Sequence, residues 1–189
     1  MIHFENVTKK YSANTGIDNV SLDIDRGEFV FLVGPSGAGK STFIKLVMKE
    51  IEADVGSIRV MGNEIVELPA RSLPKHRRNI GMIFQDFRLL PNKTVYENVA
   101  FAMEIVHKSQ RKIKRQVPLA LKLMGISSKA NMFPDELSAG EQQRVAIARA
   151  IINKPAMLIA DEPTGNLDPA TAWEIMNLLD EINKRGTTI

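Results

Sequence analysis

The chain of 189 residues contains no cysteine. That absence excludes a disulfide scaffold, a thiolate metal site and a cysteine nucleophile, and it fits a reducing compartment. No apolar run approaches the roughly 20 residues needed to cross a bilayer. The opening Met1-Ile2-His3-Phe4-Glu5 does not have the form of a signal peptide. An excess of one charge is lacking too. The 25 Lys and Arg against 22 Asp and Glu leave a net +3, far from that of a dedicated nucleic-acid binder. We find no internal repeat and no low-complexity linker. What the chain does have is material for a core. Apolar residues are 44% and charged residues 25%, which rules out disorder and a fibrous fold. The composition predicts a soluble, cytosolic chain with one domain, or one and part of a second.

Periodicity orders the elements. Val20, Leu22 and Ile24 alternate with polar residues before Arg26-Gly27, predicting a strand that enters a hairpin. Phe29 to Val33 is a continuous apolar run, expected to be a strand buried on both faces. A glycine-rich turn follows, then Phe43, Ile44, Leu46, Val47 and Met48 read as a mostly buried helix. Ile58 and Val60 alternate before Gly62, and Ile80 to Phe84 predicts another short strand. Thr94 and Glu97 form a capping box ahead of Val95, Val99, Ala102, Met103 and Val106 at helical spacing. Pro118 interrupts the next segment, whose boundaries stay open. Ser138 and Glu141 start a helix through about Ile152, and Ala156 to Ala160 is strand-like. Asp168-Pro169 caps a last amphipathic helix with Ala172, Ile175, Met176, Leu179 and Ile182 on one face. This order predicts an α/β fold with a helical insertion near residues 87–153.

Gly34-Pro35-Ser36-Gly37-Ala38-Gly39-Lys40-Ser41-Thr42 fits G-x-x-x-x-G-K-[ST] between a strand and a helix. Chance would place this pattern in fewer than about one chain in a hundred. Its glycines let backbone N–H groups turn inward around phosphate oxygens. Lys40 neutralises the β- and γ-phosphates, and the Ser41 hydroxyl ligates Mg²⁺. Met157-Leu158-Ile159-Ala160-Asp161-Glu162 is an apolar strand ending in two carboxylates. Alone, such a pair is more often a solvated turn. Downstream of a phosphate loop, Asp161 reads as part of the Mg²⁺ shell and Glu162 as the general base for water.

Leu137-Ser138-Ala139-Gly140-Glu141-Gln142-Gln143-Arg144 resembles the signature of the ATP-binding cassette (ABC) ATPases, with Ala139 where the usual pattern has glycine. The plain reading is a capped helix; both readings use the same unpaired N–H groups. The resemblance covers essentially the whole chain, 1–189, as one nucleotide-binding domain. It implies a RecA-like core sheet, an antiparallel β subdomain and a helical subdomain. It also implies a head-to-tail homodimer with two ATP molecules at the interface, Ser138 and Gly140 touching the γ-phosphate bound by the opposite subunit. Tyr11 then lies on adenine, Gln85 senses Mg²⁺ and the attacking water, and Gly165-Asn166-Leu167-Asp168 is the loop that crosses the interface.

Phe84 to Pro91, Thr94 to Val99 and Ala160 to Asp168 are similar to the cell-division ATPases of this family. That implies an FtsX-like integral membrane partner, control of peptidoglycan hydrolases and a place at the cytoplasmic face of the membrane. Lipoprotein-release and macrolide-export ATPases share much of the last segment. A soluble family member acting on nucleic acid is disfavoured by the low net charge. Phe87, Leu89, Leu90 and Pro91 are expected either to dock a helix of the membrane partner or to pack the helical insertion. The basic runs Lys75-His76-Arg77-Arg78 and Arg111-Lys112-Ile113-Lys114-Arg115 read as solvated surface or as a surface for anionic headgroups or nucleic acid. Gly186-Thr187-Thr188-Ile189 predicts a turn entering a strand. In the family that strand leads to a histidine that holds the attacking water; none of His3, His76 and His107 lies there. The expectation is therefore a truncated form, with an unfinished sheet edge, that binds nucleotide and hydrolyses it poorly.

Overall fold

A computed structural model describes residues 1–12 and 15–189. Its first layer is an antiparallel sheet in the order β2-β1-β3-β4, formed by β1 (Ile2–Ser12), β2 (Thr15–Ile24), β3 (Val55–Val60) and β4 (Asn63–Glu64). The hairpin partner of β2 is β1, which precedes it; Arg26-Gly27 is a turn, but no hairpin returns from it. Periodicity missed β1 for a physical reason. Its register slips between Phe4 and Val7, where Asn6 takes a φ of 50°, so the buried Ile2, Phe4 and Val7 do not alternate regularly. Helix α1 (Lys40–Val47) packs Leu46 and Val47 onto Phe4, Ile58 and Val60, and Phe43 stacks on Phe4 with ring centroids 4.8 Å apart. Helix α2 (Leu73–Arg78) corrects the reading of the first basic run as open surface. His76 is buried and donates to Val47 O at 2.8 Å, while Arg77 donates to Met48 O and Lys49 O. These donors cap the carbonyl end of α1, where cations also suit the helix dipole.

The second layer is a parallel pair, β5 (Ile80–Ile83) and β6 (Met157–Ala160), in register from Ile80↔Met157 to Ile83↔Ala160. Between them the chain forms α3 (Val95–Glu104), α4 (Gln110–Leu123) and α5 (Ala139–Ile151), and after them α6 (Pro169–Lys184). One core joins these helices to the strands, with Val99, Met103, Val117, Leu121, Val145, Ile147, Ile175 and Leu179 almost wholly buried. Helix α4 runs unbroken through Pro118. Both predicted capping boxes are present, with Thr94 and Ser138 accepting from Glu97 N and Glu141 N.

Phe29 to Val33 departs from its reading. Among the described residues the run joins no sheet, and Phe31 is 66% and Val33 84% exposed. An apolar strand is buried only if neighbours flank it. Here the one backbone hydrogen-bond partner among the described residues is Ile189, which donates to Glu28 O and accepts from Val30 N. Thr188 bridges on to Met157 in parallel, so Thr187 to Ile189 enters the layer between this run and β6, as the final turn and strand signal predicted. An apolar cleft of about 400 Å³ lies beside it, lined by Phe29 to Leu32, Phe43, Ile159 and Met176 among others.

Candidate active site

The phosphate loop follows the Phe29 to Val33 run from Gly34 and enters α1 at Lys40. Two left-handed residues shape it, Gly37 at φ 81° and Gly39 at φ 91°. A Cβ on Gly39 would lie 2.6 Å from both Gly16 O and Ile17 Cγ2, so the loop sits directly against β2. Ala38 N donates to Pro35 O at 3.2 Å, and Lys40 Nζ donates to Gly34 O and Pro35 O at 2.8 and 3.0 Å. The ammonium therefore lies over the loop. A cleft of about 520 Å³ opens there, lined by Tyr11, Gly16, Gly34, Ser36, Gly37, Gly39, Lys40, Ser41, Thr42 and Glu162. Tyr11 is 55% exposed and is the aromatic residue among those that line this cleft.

The carboxylates arrive from β6. Asp161 N donates to Ile83 O at 2.9 Å, extending the ladder by one residue, and Asp161 lines the adjoining apolar cleft together with Lys40 and Glu162. Glu162 then turns at φ 47°, a left-handed conformation uncommon outside glycine and asparagine, and its exposed side chain faces both clefts. Gln85 leaves the end of β5. Its carbonyl accepts from Asn166 Nδ2 at 3.0 Å, and its amide nitrogen is 3.1 Å from where a Gly165 Cβ would be. Gln85 thus meets the loop that follows Glu162, although it lines neither cleft. Ser138 and Gly140 stand apart from the phosphate loop, at the head of α5. Ser138 is exposed and its hydroxyl caps the helix, while Gly140 is buried against Thr171 of α6.

Two side chains that sequence reasoning passed over tie α5 to these loops. Gln143 is fully buried and donates to Pro163 O at 2.6 Å, next to Glu162; its Oε1 has no partner among the described residues. Arg149 donates to Phe87 O at 2.7 Å and Arg88 O at 2.5 Å, holding the carbonyls of two left-handed residues just beyond Gln85. Burial without a carboxylate partner lowers the guanidinium's pKa from its ordinary value. Asn98, also fully buried, completes the anchorage through Leu90 N, Leu90 O, Lys93 O and Thr94 O. Leu89 packs on the helical core, so part of the 87–91 segment is core. The one available signal was Asn98, a single polar residue on the apolar face of α3 formed by Val95, Val99 and Met103.

The arrangement suits a nucleoside triphosphate. Glycines at the loop leave room for backbone N–H groups to meet phosphate, and a lysine and an aromatic face frame the cleft. The Ser41 hydroxyl, the Gln85 amide oxygen and the Asp161 carboxylate are hard oxygens, the donor chemistry that fits Mg²⁺, although Ser41 lines the nucleotide cleft, Asp161 the apolar one and Gln85 neither. Residues 17–165 match the ABC transporter family. The chain is 54% identical over 190 residues to the cell division ATP-binding protein FtsE of Streptococcus pneumoniae strain D39, covering 100% of this chain and 83% of the relative. It is 48% identical over 190 residues to that of Escherichia coli K12, covering 100% and 86%. Among solved structures, a dimeric ATP-binding cassette in a post-hydrolysis state with ADP and phosphate superposes with a TM-score of 0.86. It is 37% identical, with 100% of this chain and 85% of that one covered. The protein cbiO1 of Clostridium perfringens, part of the cbiONQ ABC transporter complex, gives 0.91 at 33% identity, covering 100% and 76%. A phosphate loop, a carboxylate strand and full-length kinship thus agree: the chain belongs to the ABC transporter family, as one of its ATP-hydrolysing cassettes.

Proposed function

We propose that the protein is the ATPase subunit of a cell-division complex of the FtsE–FtsX type, peripheral on the cytoplasmic face of the membrane through an FtsX-like integral partner. Its hydrolysis cycle controls peptidoglycan hydrolases outside the cell. The observation that carries this reading is 48% to 54% identity to FtsE proteins along the whole chain. No helix among the described residues is long and apolar enough to cross a membrane, which fits a subunit tethered by a partner.

In the cycle, Tyr11 stacks on adenine, while the backbone of residues 34–42 and Lys40 hold the phosphates. Ser41, Gln85 and Asp161 would hold Mg²⁺, which would supply charge neutralisation to the phosphate oxygens. Glu162 accepts the proton of the attacking water, and Gln85 orients that water. Ser138 and Gly140 of the opposite subunit close over the γ-phosphate in a head-to-tail dimer, so each site is completed in trans. ATP then favours the closed pair, and hydrolysis with product release reopens it.

Purified protein tests this directly. Lys40→Ala should lose ATP affinity by calorimetry. Glu162→Gln should retain it while turnover falls at least about a hundredfold, the range of general-base losses. Wild-type turnover in Glu162→Gln would reassign the base. Co-purification of an FtsX-type protein from membranes tests the complex, and recovery of an exporter permease instead would overturn the cell-division reading.

A further inference from the structure

Between Glu104 and Asp135 the chain has seven Lys and Arg and no acidic residue, against a net +3 for the whole protein. Five of the seven lie on α4, where Arg111, Lys112, Arg115 and Lys122 share the face opposite the buried Ile113, Val117, Ala120 and Leu121. All four are exposed and, among the described residues, none forms an ion pair or a side-chain hydrogen bond. Leu119, 62% exposed, sits in their midst, with Leu123 beside it at 39%.

This pattern works against the helix that bears it. Arg111 and Lys112 occupy the first turn, where the dipole favours anions, and no acidic residue stands there to offset them. Arg111 and Arg115 repel each other at i,i+4, as Lys112 and Arg115 do at i,i+3. Local stability therefore does not explain the run. An anionic surface does. We propose that the outer face of α4 binds the anionic phospholipid headgroups of a membrane, with Leu119 seated among them. Lys and Arg add attraction side chain by side chain near such a surface, and an apolar residue between them gains by leaving water. Nucleic acid fits less well, because residues 105–132 contain no Phe, Tyr or Trp on which a base could stack. The face lies outside the nucleotide cleft, so this contact is made by the chain itself and is independent of the proposed partner and of turnover.

Co-sedimentation of the purified chain with protein-free vesicles decides the matter. Vesicles of phosphatidylcholine with about a third phosphatidylglycerol should bind it, pure phosphatidylcholine should not, and binding should fall steeply with salt. The pair Lys112→Glu with Arg115→Glu should weaken partitioning at least about tenfold. Its thermal stability should not fall, because an acidic residue at 112 suits the first turn and one at 115 stands at i,i+4 from Arg111. The same reversal at Lys75 and Arg78 controls for net charge and should leave most of the binding. Equal loss in both pairs, or equal binding to both vesicles, overturns the site. Tighter binding to a short DNA duplex than to the anionic vesicles at equal salt overturns the choice of lipid.

Discussion

Gly140 has no room for a side chain, since a Cβ there would lie 2.4 Å from Thr171 Cγ2. Within one chain, its smallness lets the head of α5 pack on α6, apart from any role at a nucleotide. Gly140→Ala should therefore cost about 1 kcal/mol or more in thermal unfolding, the low end of overpacking. Thr171→Ser removes the opposing methyl and keeps the hydroxyl that serves Asp168, so the double variant should recover most of the loss. No recovery would show that the glycine is needed for its backbone alone. Gln143 and Arg149 stayed hidden from sequence reasoning because their carbonyl partners lie 20 and 61 to 62 residues away. Nothing in a local pattern distinguishes a latch from a solvated polar residue.

Helix α5 gathers these contacts on one rigid element of 13 residues, about 20 Å long. Its head carries Ser138, its middle reaches Pro163 beside Glu162, and its last turn holds the loop after Gln85. A displacement at the head is thus felt at both loops, because a helix transmits motion without bending. Arg149→Met should leave ATP affinity nearly unchanged while lowering turnover by about tenfold, as a small misplacement of reacting groups does. Arg149→Lys should restore part of it, and equal losses in affinity and turnover would instead mean general damage. Helix caps add a pH response. Backbone hydrogen bonds from Thr94 and Ser138 hold the Glu97 and Glu141 carboxyls below the usual carboxylate pKa, and hydrogen bonds from Thr171 do so for Asp168. Groups with depressed pKa contribute stability that is full above their unfolded value, about 4.3 for Glu, and lost as pH falls through the folded one. The melting-temperature advantage of wild type over the Glu97→Gln, Glu141→Gln pair should be full at neutral pH, begin to shrink as pH falls below about 4.3, and be lost once pH has passed through the lowered folded-state values. An advantage independent of pH would remove the carboxylates from the account.

At the scale of the whole molecule, the head of α5 and the phosphate loop do not share a cleft within one chain. The proposed head-to-tail dimer would supply that juxtaposition, and one of the structural relatives is itself a dimeric cassette. With ATP, the Glu162→Gln protein should sediment as a dimer. Ser138→Arg in that background should return it to monomer while calorimetric ATP affinity holds. A dimer that survives Ser138→Arg would place the interface elsewhere.

The sequence by itself determined the phosphate loop, the carboxylate pair, both capping boxes and the order of the elements from α1 onward in outline. Each is contiguous, so its geometry follows from neighbouring backbone and a few fixed spacings. Tertiary structure alone decided the rest. It turned His76 and Arg77 from an apparent surface run into caps on α1, and it gave Gln143 and Arg149 their partners. Bulges concealed β1 because they break the two-residue period on which strand reading depends. The run from Phe29 to Val33 was legible as strand-like, yet Val33 is 84% exposed. Hydrophobicity states a preference for burial, and only the strands that lie alongside in space can satisfy it.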